Sequence, residues 1–553
     1  MPEILDVILR NASMKSKARA ARTCQKWFSP AVDALWRDLD SPVPLIKLLS
    51  TNILTSISSR AIEEIKFSRS IADADWSRFG IYSSRVRTLR YDDGECIAHP
   101  RLALGSNIFT ELGVYRPPGA LLPNLVKLEW RAVSDHTARG ILQFIPVRLE
   151  SLVLTIGHRV NPTVPCQVIT ALSRRTETLQ HLEFRSDLPP QLSATVKNAL
   201  ATWLRRVPRL LTIGLPSYYG TTEIVDALAT LGDLEKIYTS HNWFEVSPYS
   251  ALGTTFTFQK NFPKVKELSV DLNLPIDPLS LRSHHLVRLC INTLIRDVGG
   301  SLQEMLGIVA TGCPNLEDLQ LMLGMSDDFG GDEEGEGRCY ICYDDITPLL
   351  ACRRLVQLQV AHCSPIKLEE AQLKEMGKSW PGMTTLELCQ SPNFKGEPFV
   401  IPGMPLSMLR TIVKAFRSLE TFGTFFLLGE AGDLEPVPRD DDNPSLSLRT
   451  LDVGSSDVDE DDLFAIGYYI GLLCPALTAV TANATNVRWY PINVPSHRDV
   501  DPELVERTEN WNAVESIVKA TTRLHGVFQR RIEELSEKLE ASQRQLAALR
   551  IQD

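Results

Sequence analysis

Apolar residues recur along most of the chain in one six-residue pattern, L-x-x-L-x-L, with other large apolar residues admitted at the leucine places. Copies begin at Val86, Leu125, Leu149, Leu179, Leu210, Leu234, Val265, Leu286, Leu316, Leu355, Met383, Leu419, Leu448 and Leu477. Their spacing averages roughly thirty residues, near the upper end of the usual leucine-rich range. In the copy that begins at Leu316, Leu319 and Leu321 lie two apart and face one side of a strand. Leu316 tucks in from the preceding turn, and Asp318 and Gln320 face the other side. Helix-like stretches lie between copies, as at residues 191–205 and 302–310. One strand with one helix cannot bury its apolar face alone, whereas stacked neighbours can. The pattern therefore predicts an α/β architecture: a leucine-rich-repeat solenoid over residues 86–500, with a curved parallel sheet and outer helices. A doubly wound α/β enzyme also alternates strands and helices, but it needs no repeated hexamer and would normally carry a phosphate-binding glycine loop. The asparagine that often follows the hexamer is mostly missing. Cys363, Ser391 and Ser456 stand in its place, so the array is expected to be irregular.

The two ends of the chain depart from this pattern. At the start, Pro2 suits a first helical turn, and Ile4, Leu5, Ile8 and Leu9 form a helical stripe. A second helix is predicted over residues 17–28, broken by Pro30, and a third short segment over residues 31–39. Residues 46–85 read as a helical linker or cap. At the other end, Pro502 opens a long helix. Trp511, Val518, His525, Ile532, Leu539 and Leu546 recur every seven residues, with Val514, Thr521, Phe528, Leu535, Ser542 and Leu549 between them. This is a coiled-coil seam, weakened at His525 and Ser542. The first part of the 501–553 segment is expected to dock on the last repeat, and its end to protrude and self-associate or bind another coiled coil.

The N-terminal residues resemble the F-box. The family pattern runs L-P-x-E-I-L, then A-R-x-C-x-x-W, then a segment ending L-W-R. Here Pro2, Glu3, Ile4 and Leu5 match the first part. Ala21, Arg22, Cys24 and Trp27 match the second, and Leu35, Trp36 and Arg37 the third. Met1 stands where the pattern has its leading leucine, and methionine can fill the same apolar pocket. The continuation over residues 38–45 is similar to F-box proteins of mushroom-type (basidiomycete) fungi. The resemblance covers residues 1–45 closely, and the remainder only as an architecture. It implies a substrate-recognition adaptor of an SCF-type ubiquitin ligase, in which the F-box docks on a Skp-type adaptor joined to a cullin, and the solenoid holds an unknown target. Pro2, Ile4, Leu5, Ile8, Cys24, Trp27, Leu35 and Trp36 are the residues expected to meet the adaptor, since large apolar and aromatic side chains dominate such contacts. The alternative is a leucine-rich-repeat interaction scaffold whose helical start is only a cap.

Composition narrows the partners. The chain has 553 residues, 44% of them hydrophobic and 23% charged, which is ordinary for folded protein. A formal net charge of -10 disfavours a general nucleic-acid binder. No apolar run is long enough to predict a membrane span. The N-terminus carries Glu3 and Asp6 where a secretory signal would want positive charge. Eleven dispersed cysteines suit reduced thiols in the cytoplasm or nucleus.

No constellation for catalysis or for a cofactor emerges, and no enzyme is expected. Gly377-Lys378-Ser379 looks like the end of a phosphate-binding loop, but Gln372 stands where the earlier glycine belongs. Cys339 and Cys342 form a C-x-x-C with Cys352, His362 and Cys363 downstream, which zinc could use. The stronger reading makes these cysteines small apolar residues of the repeat turns. Residues 326–346 are acidic and glycine-rich in their first part and read as a solvated insertion between repeats.

If the strands line a concave face, its outward positions include Lys127, Glu129, His181, Glu183, Glu267, Asp318, Gln320, Gln357, Gln359 and Glu387. They are polar with an acidic tilt, and a curved face of this kind commonly docks a target segment.

Overall fold

In the computed structural model the chain divides into two compact units, residues 1–270 and 271–553. The structure describes all residues except 1, 50–52, 59–61, 94–100, 189–192, 217–220, 241–261, 273–282, 294–300, 324–340, 363–364, 391–402, 429–433, 435–446, 483–501 and 551–553.

In the first unit the hexamers become parallel strands in one register. The fourth residue of each hexamer pairs with the fourth of the next, so that Leu89, Leu128, Leu152, Leu182, Ile213, Ile237 and Leu268 form one row. All of these side chains are buried, as are the first hexamer residues Leu125, Leu149, Leu179 and Leu210. Parallel pairing in a fixed register stacks like on like, and each apolar row is covered above and below by the same row of its neighbours. Helices Thr163–Leu172 and Ala194–Leu204 bury their apolar stripes in the same unit. An aromatic group of Tyr91, Phe109, Trp130 and Phe144 fills the start of the array, with ring centroids 4.7–6.4 Å apart and Trp130 Nε1 donating to the carbonyl of Thr137 at 3.0 Å.

The sheet starts earlier than residue 86. Asp38–Leu39 is a strand paired in parallel with Thr88–Asp92, and Leu39 takes the place beside Leu89. The sheet thus begins directly after the N-terminal helices. These helices are Pro2–Asn11, Met14–Ala21 and Gln25–Trp36. A three-helix start is as predicted, but the breaks fall elsewhere. Helix continuity over residues 17–28 fails: the helix closes in a tight turn, with Arg22 N–H donating to Arg19 O and Thr23 N–H to Ala20 O, and Cys24 is extended before the next helix. Pro30 lies inside the third helix. Its missing N–H would have met the carbonyl of Lys26, an exposed residue whose carbonyl solvent can satisfy, so the ring is tolerated. Residues 46–85 are not wholly helical either. Leu54–Ser58 and Ile62–Phe67 form an antiparallel pair, and Arg101–Leu104 adds to it in parallel.

In the second unit the equivalent row is Leu289, Leu319, Leu358, Leu386, Phe422, Leu451 and Val480. Outer helices include Ser301–Gly312, Glu370–Ser379, Leu409–Ala415 and Leu463–Leu473. Most of the acidic insertion lies outside the described residues. Its last part is ordered, as strand Ile341–Cys342 and helix Tyr343–Ile346 with Ile341 and Ile346 buried, because these apolar residues join the core between repeats. Ser456 fills the place of the motif asparagine. It accepts from the Phe426 N–H at 2.7 Å and donates to the carbonyl of Val453 at 2.6 Å, so one hydroxyl ties two turns as the amide would.

The tail is one helix, Pro502–Arg550. Its first half docks on helix Leu463–Leu473, where Gly467 and Gly471 stand four residues apart. A Cβ built on Gly467 would meet Ile517 Cβ at 2.8 Å, and one on Gly471 would meet Thr521 Cβ at 2.7 Å. The two glycines therefore set how closely the helices approach. Trp511, Val514 and Val518 are buried there, with Trp511 Nε1 donating to the Ser456 carbonyl at 2.8 Å and Arg507 paired with Asp457 at 2.6 Å. Glu515 accepts from the backbone N–H of Val480 in the last strand at 3.3 Å. From Leu524 to Leu539 the large apolar residues of the helix are exposed. Among the described residues no helix is long and apolar enough to cross a membrane.

Trp511→Ala is expected to cost about 3–5 kcal/mol in the docking of the tail, and Gly467→Val about 1–3 kcal/mol through overpacking. Hydrogen exchange should show early loss of protection over residues 463–473 and 502–521 in both variants, while the strands of the first unit keep theirs.

Candidate functional site

Three surfaces carry residues that a partner could use. The first is the outside of the three N-terminal helices. Their interior is small: Leu9, Ala20, Ala31 and Ala34 form the buried cluster, with Leu5 and Ala21 partly buried against it. Leu5 and Leu9 lie four apart on the inner stripe of the first helix, whereas Ile4, Val7 and Ile8 lie on its outer stripe. Ile4 is 63% exposed, Ile8 59% and Trp27 44%, and Phe28 and Met14 are exposed as well. Single exposed apolar residues are ordinary, but here several lie together on one small unit as an exposed apolar patch.

Of the residues expected to meet an adaptor, Ile4, Ile8, Cys24 and Trp27 are thus accessible, and Leu5 is committed largely to the interior. Leu35 and Trp36 are half-buried. Trp36 packs on Tyr82 with ring centroids 4.7 Å apart, which directs it to the body of its unit. Asp33 and Arg85 form an ion pair that ties the third helix to the same body. Pro2 opens the first helix, and its side chain lies outside the described residues. Val7, Met14 and Phe28 were not singled out by the family pattern. The 3.6-residue period of the first helix, read outward from Leu5 and Leu9, identifies Val7.

The second surface is the sheet face opposite the leucines. In the first unit cross-strand ion pairs run along it. Arg90 pairs with Glu129 at 2.6 Å and Lys236 with Glu267 at 2.7 Å, while Arg185 pairs with Glu183 of its own strand at 2.7 Å. Lys127 is half-buried and His181 exposed. Tyr238 lies over Gly214, whose added Cβ would meet the ring at 2.5 Å, and its phenol bonds Glu183. Burial first, and then the charge of Glu183, push that phenol above its ordinary range.

In the second unit Gln320, Gln357 and Gln359 are half-buried. Asp318 and Glu387 do not stand free on the face: they are 5% and 4% exposed. Asp318 is enclosed because Arg288 Nε donates to it at 2.6 Å across the strands and Gln320 donates at 3.3 Å. Asp452 is buried too and accepts from the Gly454 N–H at 3.0 Å. The sequence places these carboxylates on the correct face. It does not reveal that neighbours from other repeats, some thirty residues away, close over them.

The third surface is the far half of the tail helix. Ile532, Leu535 and Leu539 are exposed along the predicted seam, together with Leu524, Val527 and Phe528. The side chains of Leu546 and Leu549 lie outside the described residues. Intrahelical pairs Arg531–Glu534 and Arg544–Glu540 decorate the rest of this half at 2.9 Å each.

Groups that resemble chemical sites have structural employment. Ser134 Oγ lies 3.2 Å from Asp93 and 3.4 Å from His136 Nε2, and 2.9 Å from Thr137 Oγ1. Both the aspartate and the histidine contact the serine and not each other, so these contacts tie the turn before helix Asp135–Gly140 and do not form a proton relay. Cys313 and Cys352 are buried, and desolvation pushes their thiols up to about 12 and about 11, which suits apolar packing and not metal ligation. Cys342 caps helix Tyr343–Ile346. Cys339 and Cys363 lie outside the described residues. Among the described residues no group of three or more His, Cys, Asp or Glu could hold a metal ion.

No protein-family model and no curated protein matches the sequence. Solved structures with some likeness include an internalin from Listeria monocytogenes, at 13% identity over 68% of this chain and 80% of that one, with a TM-score of 0.30. Another is the complex of Rad7 and Elc1 from yeast, at 14% identity over 64% and 82% with a TM-score of 0.35. A third is the leucine-rich repeat-containing protein LegL7 from Legionella pneumophila, at 13% identity over 62% and 85% with a TM-score of 0.26. The leucine-rich-repeat fold of this chain rests on its own strand register and on its buried hexamers.

Proposed function

We propose that the chain is a substrate-recognition adaptor of an SCF-type ubiquitin ligase, working in the cytoplasm or nucleus and without catalysis of its own. Its N-terminal helices would dock on a Skp-type adaptor linked to a cullin, and its repeats would hold a target protein. The observation that carries the reading is the division of labour in residues 2–36. Leu9 and alanines seal the interior, and Ile8 is left outward together with Ile4 and Trp27, which stand at positions that match the F-box pattern. A helical unit whose only task was to cap the sheet would turn its large apolar residues inward and face solvent with polar ones. The coarser reading, a leucine-rich-repeat interaction scaffold, shares every other feature.

Capture by an immobilised Skp-type adaptor separates the two. The intact chain should be retained, and a chain lacking residues 1–40 should not. Ile8→Asp and Trp27→Ala are each expected to weaken retention at least tenfold, which is about 1.4 kcal/mol or more. Both residues are exposed, so thermal midpoints should barely move. Retention unaffected by both substitutions would leave the scaffold reading.

The tail supports a second element of the proposal. The stripe Ile532, Leu535 and Leu539 has the spacing of a coiled-coil seam and no cover, so the projecting half would self-associate. Sedimentation of the full chain is expected to show a concentration-dependent dimer that Leu535→Lys removes. A monomer at all concentrations would refute self-association and leave the stripe to another coiled coil.

A further inference from the structure

The docked and projecting halves of helix Pro502–Arg550 share one face. A Cβ on Gly467 would meet Ile517, and one on Gly471 would meet Thr521, so the contacts advance in the same direction along both helices. Helix Leu463–Leu473 therefore runs parallel to the tail. Arg507 at Asp457 and Asn510 at the Val458 carbonyl keep that direction where the contact begins. Helix Leu463–Leu473 ends two residues after Gly471, level with Arg523 of the tail. The face it covers carries Trp511, Val514, Val518 and Thr521, all buried. One residue further on, at Leu524, exposure begins, and Phe528, Ile532, Leu535 and Leu539 continue the same seven-residue positions with 52–64% of their surface bare.

What can cover this stretch is limited by what covers the rest of the face. Packed helices lie about 8–10 Å apart. A second copy laid on the stripe in parallel and in register would carry its own helix Leu463–Leu473 on the inner face of its tail, as the first copy does. Level with Thr521 the two tails would need room for two further helices between them, a separation of about 25–30 Å. Level with Phe528, seven residues or about 10 Å further along, the same tails would have to lie about 10 Å apart. The tail runs unbroken through Gly526 and does not make that bend. An antiparallel copy meets no such conflict, because its docked half lies at the other end of the helix pair.

Register follows from the same boundary. A centre between Ile532 and Leu535 would send residues 544–550 of the second copy level with residues 517–523 of the first, into the space of helix Leu463–Leu473. A centre half a heptad on, between Leu535 and Leu539, brings residue 550 only level with Leu524. It sets Leu535 against Leu539 twice, places Ile532 level with Ser542, and leaves Phe528 level with position 546. A further half-heptad would put Leu539 against Ser542 at the axis and lose the leucine pairs. The chosen register brings the exposed Lys538 against its own counterpart, a small penalty between solvated side chains. Arg531 keeps its intrahelical partner Glu534 at 2.9 Å.

We propose that two copies of this chain pair tail to tail, antiparallel, about a twofold axis between Leu535 and Leu539. The stripe is self-complementary about that point, as an isologous contact requires. The inference rests on the self-association of the tail proposed above and adds its direction and register. It does not require the ubiquitin-ligase role.

The test uses full-length chains carrying Ile532→Cys, Leu535→Cys or Ser542→Cys, mixed in pairs under mild oxidation and tagged so that the two members differ in size. Wild type measures cross-linking through native cysteines such as the exposed Cys24. Ile532→Cys mixed with Ser542→Cys should give a mixed disulfide dimer at least tenfold above either chain alone. The two positions are level in the antiparallel pair and ten residues, about 15 Å, apart in a parallel one, too far for a disulfide. Self-cross-linking of the single variants without mixed product would show a parallel pair and overturn the proposal. Mixed product from Ile532→Cys with Leu535→Cys in place of Ser542→Cys would show the earlier centre and overturn it too. If Ile532→Cys pairs too weakly, Ser542→Cys alone decides, since it keeps every large apolar residue of the stripe: it should give no disulfide dimer above wild type, and a strong one would overturn the proposal. Sedimentation separates the two readings. A monomer at all concentrations would remove self-association altogether, whereas a dimer that Leu535→Lys abolishes but that lacks the Ile532–Ser542 cross-link would remove the direction and register only.

Discussion

Everything in this molecule depends on strands of different repeats meeting in one register. A side chain on a strand has a period of two, so a slip of one residue would carry every leucine of that repeat from the buried face to the other one. In each unit the rows through Leu152 and through Leu358 keep that register from strand to strand. The same constraint explains the substitutions within the hexamer. Trp130, Phe184 and Phe422 stand where leucine is usual and remain fully buried, because a row tolerates larger members if its helices leave room. It also fixes the other face, since the residues between the leucines are brought into rows whether or not their charges agree. Where they agree, as with Arg288 beside Asp318, the rows are tied by charge-assisted bonds.

The ends of the chain solve a different problem with different residues. At the N-terminus an interior of Leu9 and several alanines lets three short helices pack closely, while Ile4, Ile8 and Trp27 face outward. At the C-terminus glycines four apart let two helices approach so closely that a single methyl would collide. Those three residues stay outward at the N-terminus, whereas at the C-terminus Trp511, Val514 and Val518 are buried beside the glycines. Along the repeats large residues lie inside and polar ones outside.

Much of the fold was legible in the sequence because the hexamer is a local signal repeated many times. Leu128, Leu152, Leu182, Leu268, Leu319, Leu358, Leu386 and Leu451 are all buried on paired parallel strands, as the pattern predicts. The tail helix was legible from its heptads, including the passage from a docked half to an exposed half. The misses were places where the signal is short or non-local. Asp38–Leu39 is too brief to show any period, and its pairing with residues fifty positions away defines it. The hairpin of Leu54–Ser58 and Ile62–Phe67 alternates weakly, with serine, threonine and glutamate between its few apolar residues. Pro30 misled because proline is read as a helix breaker, whereas an exposed carbonyl one turn back made it tolerable. At the candidate surfaces, sequence gave the face of each residue but not its cover. Asp318 and Glu387 differ from Gln357 in burial only through neighbours in other repeats, and no inspection of residues 385–390 alone would reveal that Gln390 lies over Gly423.

The contact between Glu515 and the last strand has a wider consequence. A parallel sheet ends in a row of amide and carbonyl groups with nothing beyond them, a template on which the strand of another molecule can add. In the strand Ala479–Thr481 one such amide, that of Val480, is taken by a carboxylate carried on the tail helix. The carboxylate is charged, and Lys519 beside it is paired with it at 2.9 Å, so an incoming strand would have to displace a helix and desolvate an ion pair. The tail thus acts as a terminator of growth. Without it, the Val480 amide would stand open at the edge of the sheet, the kind of group on which a strand of another molecule can add.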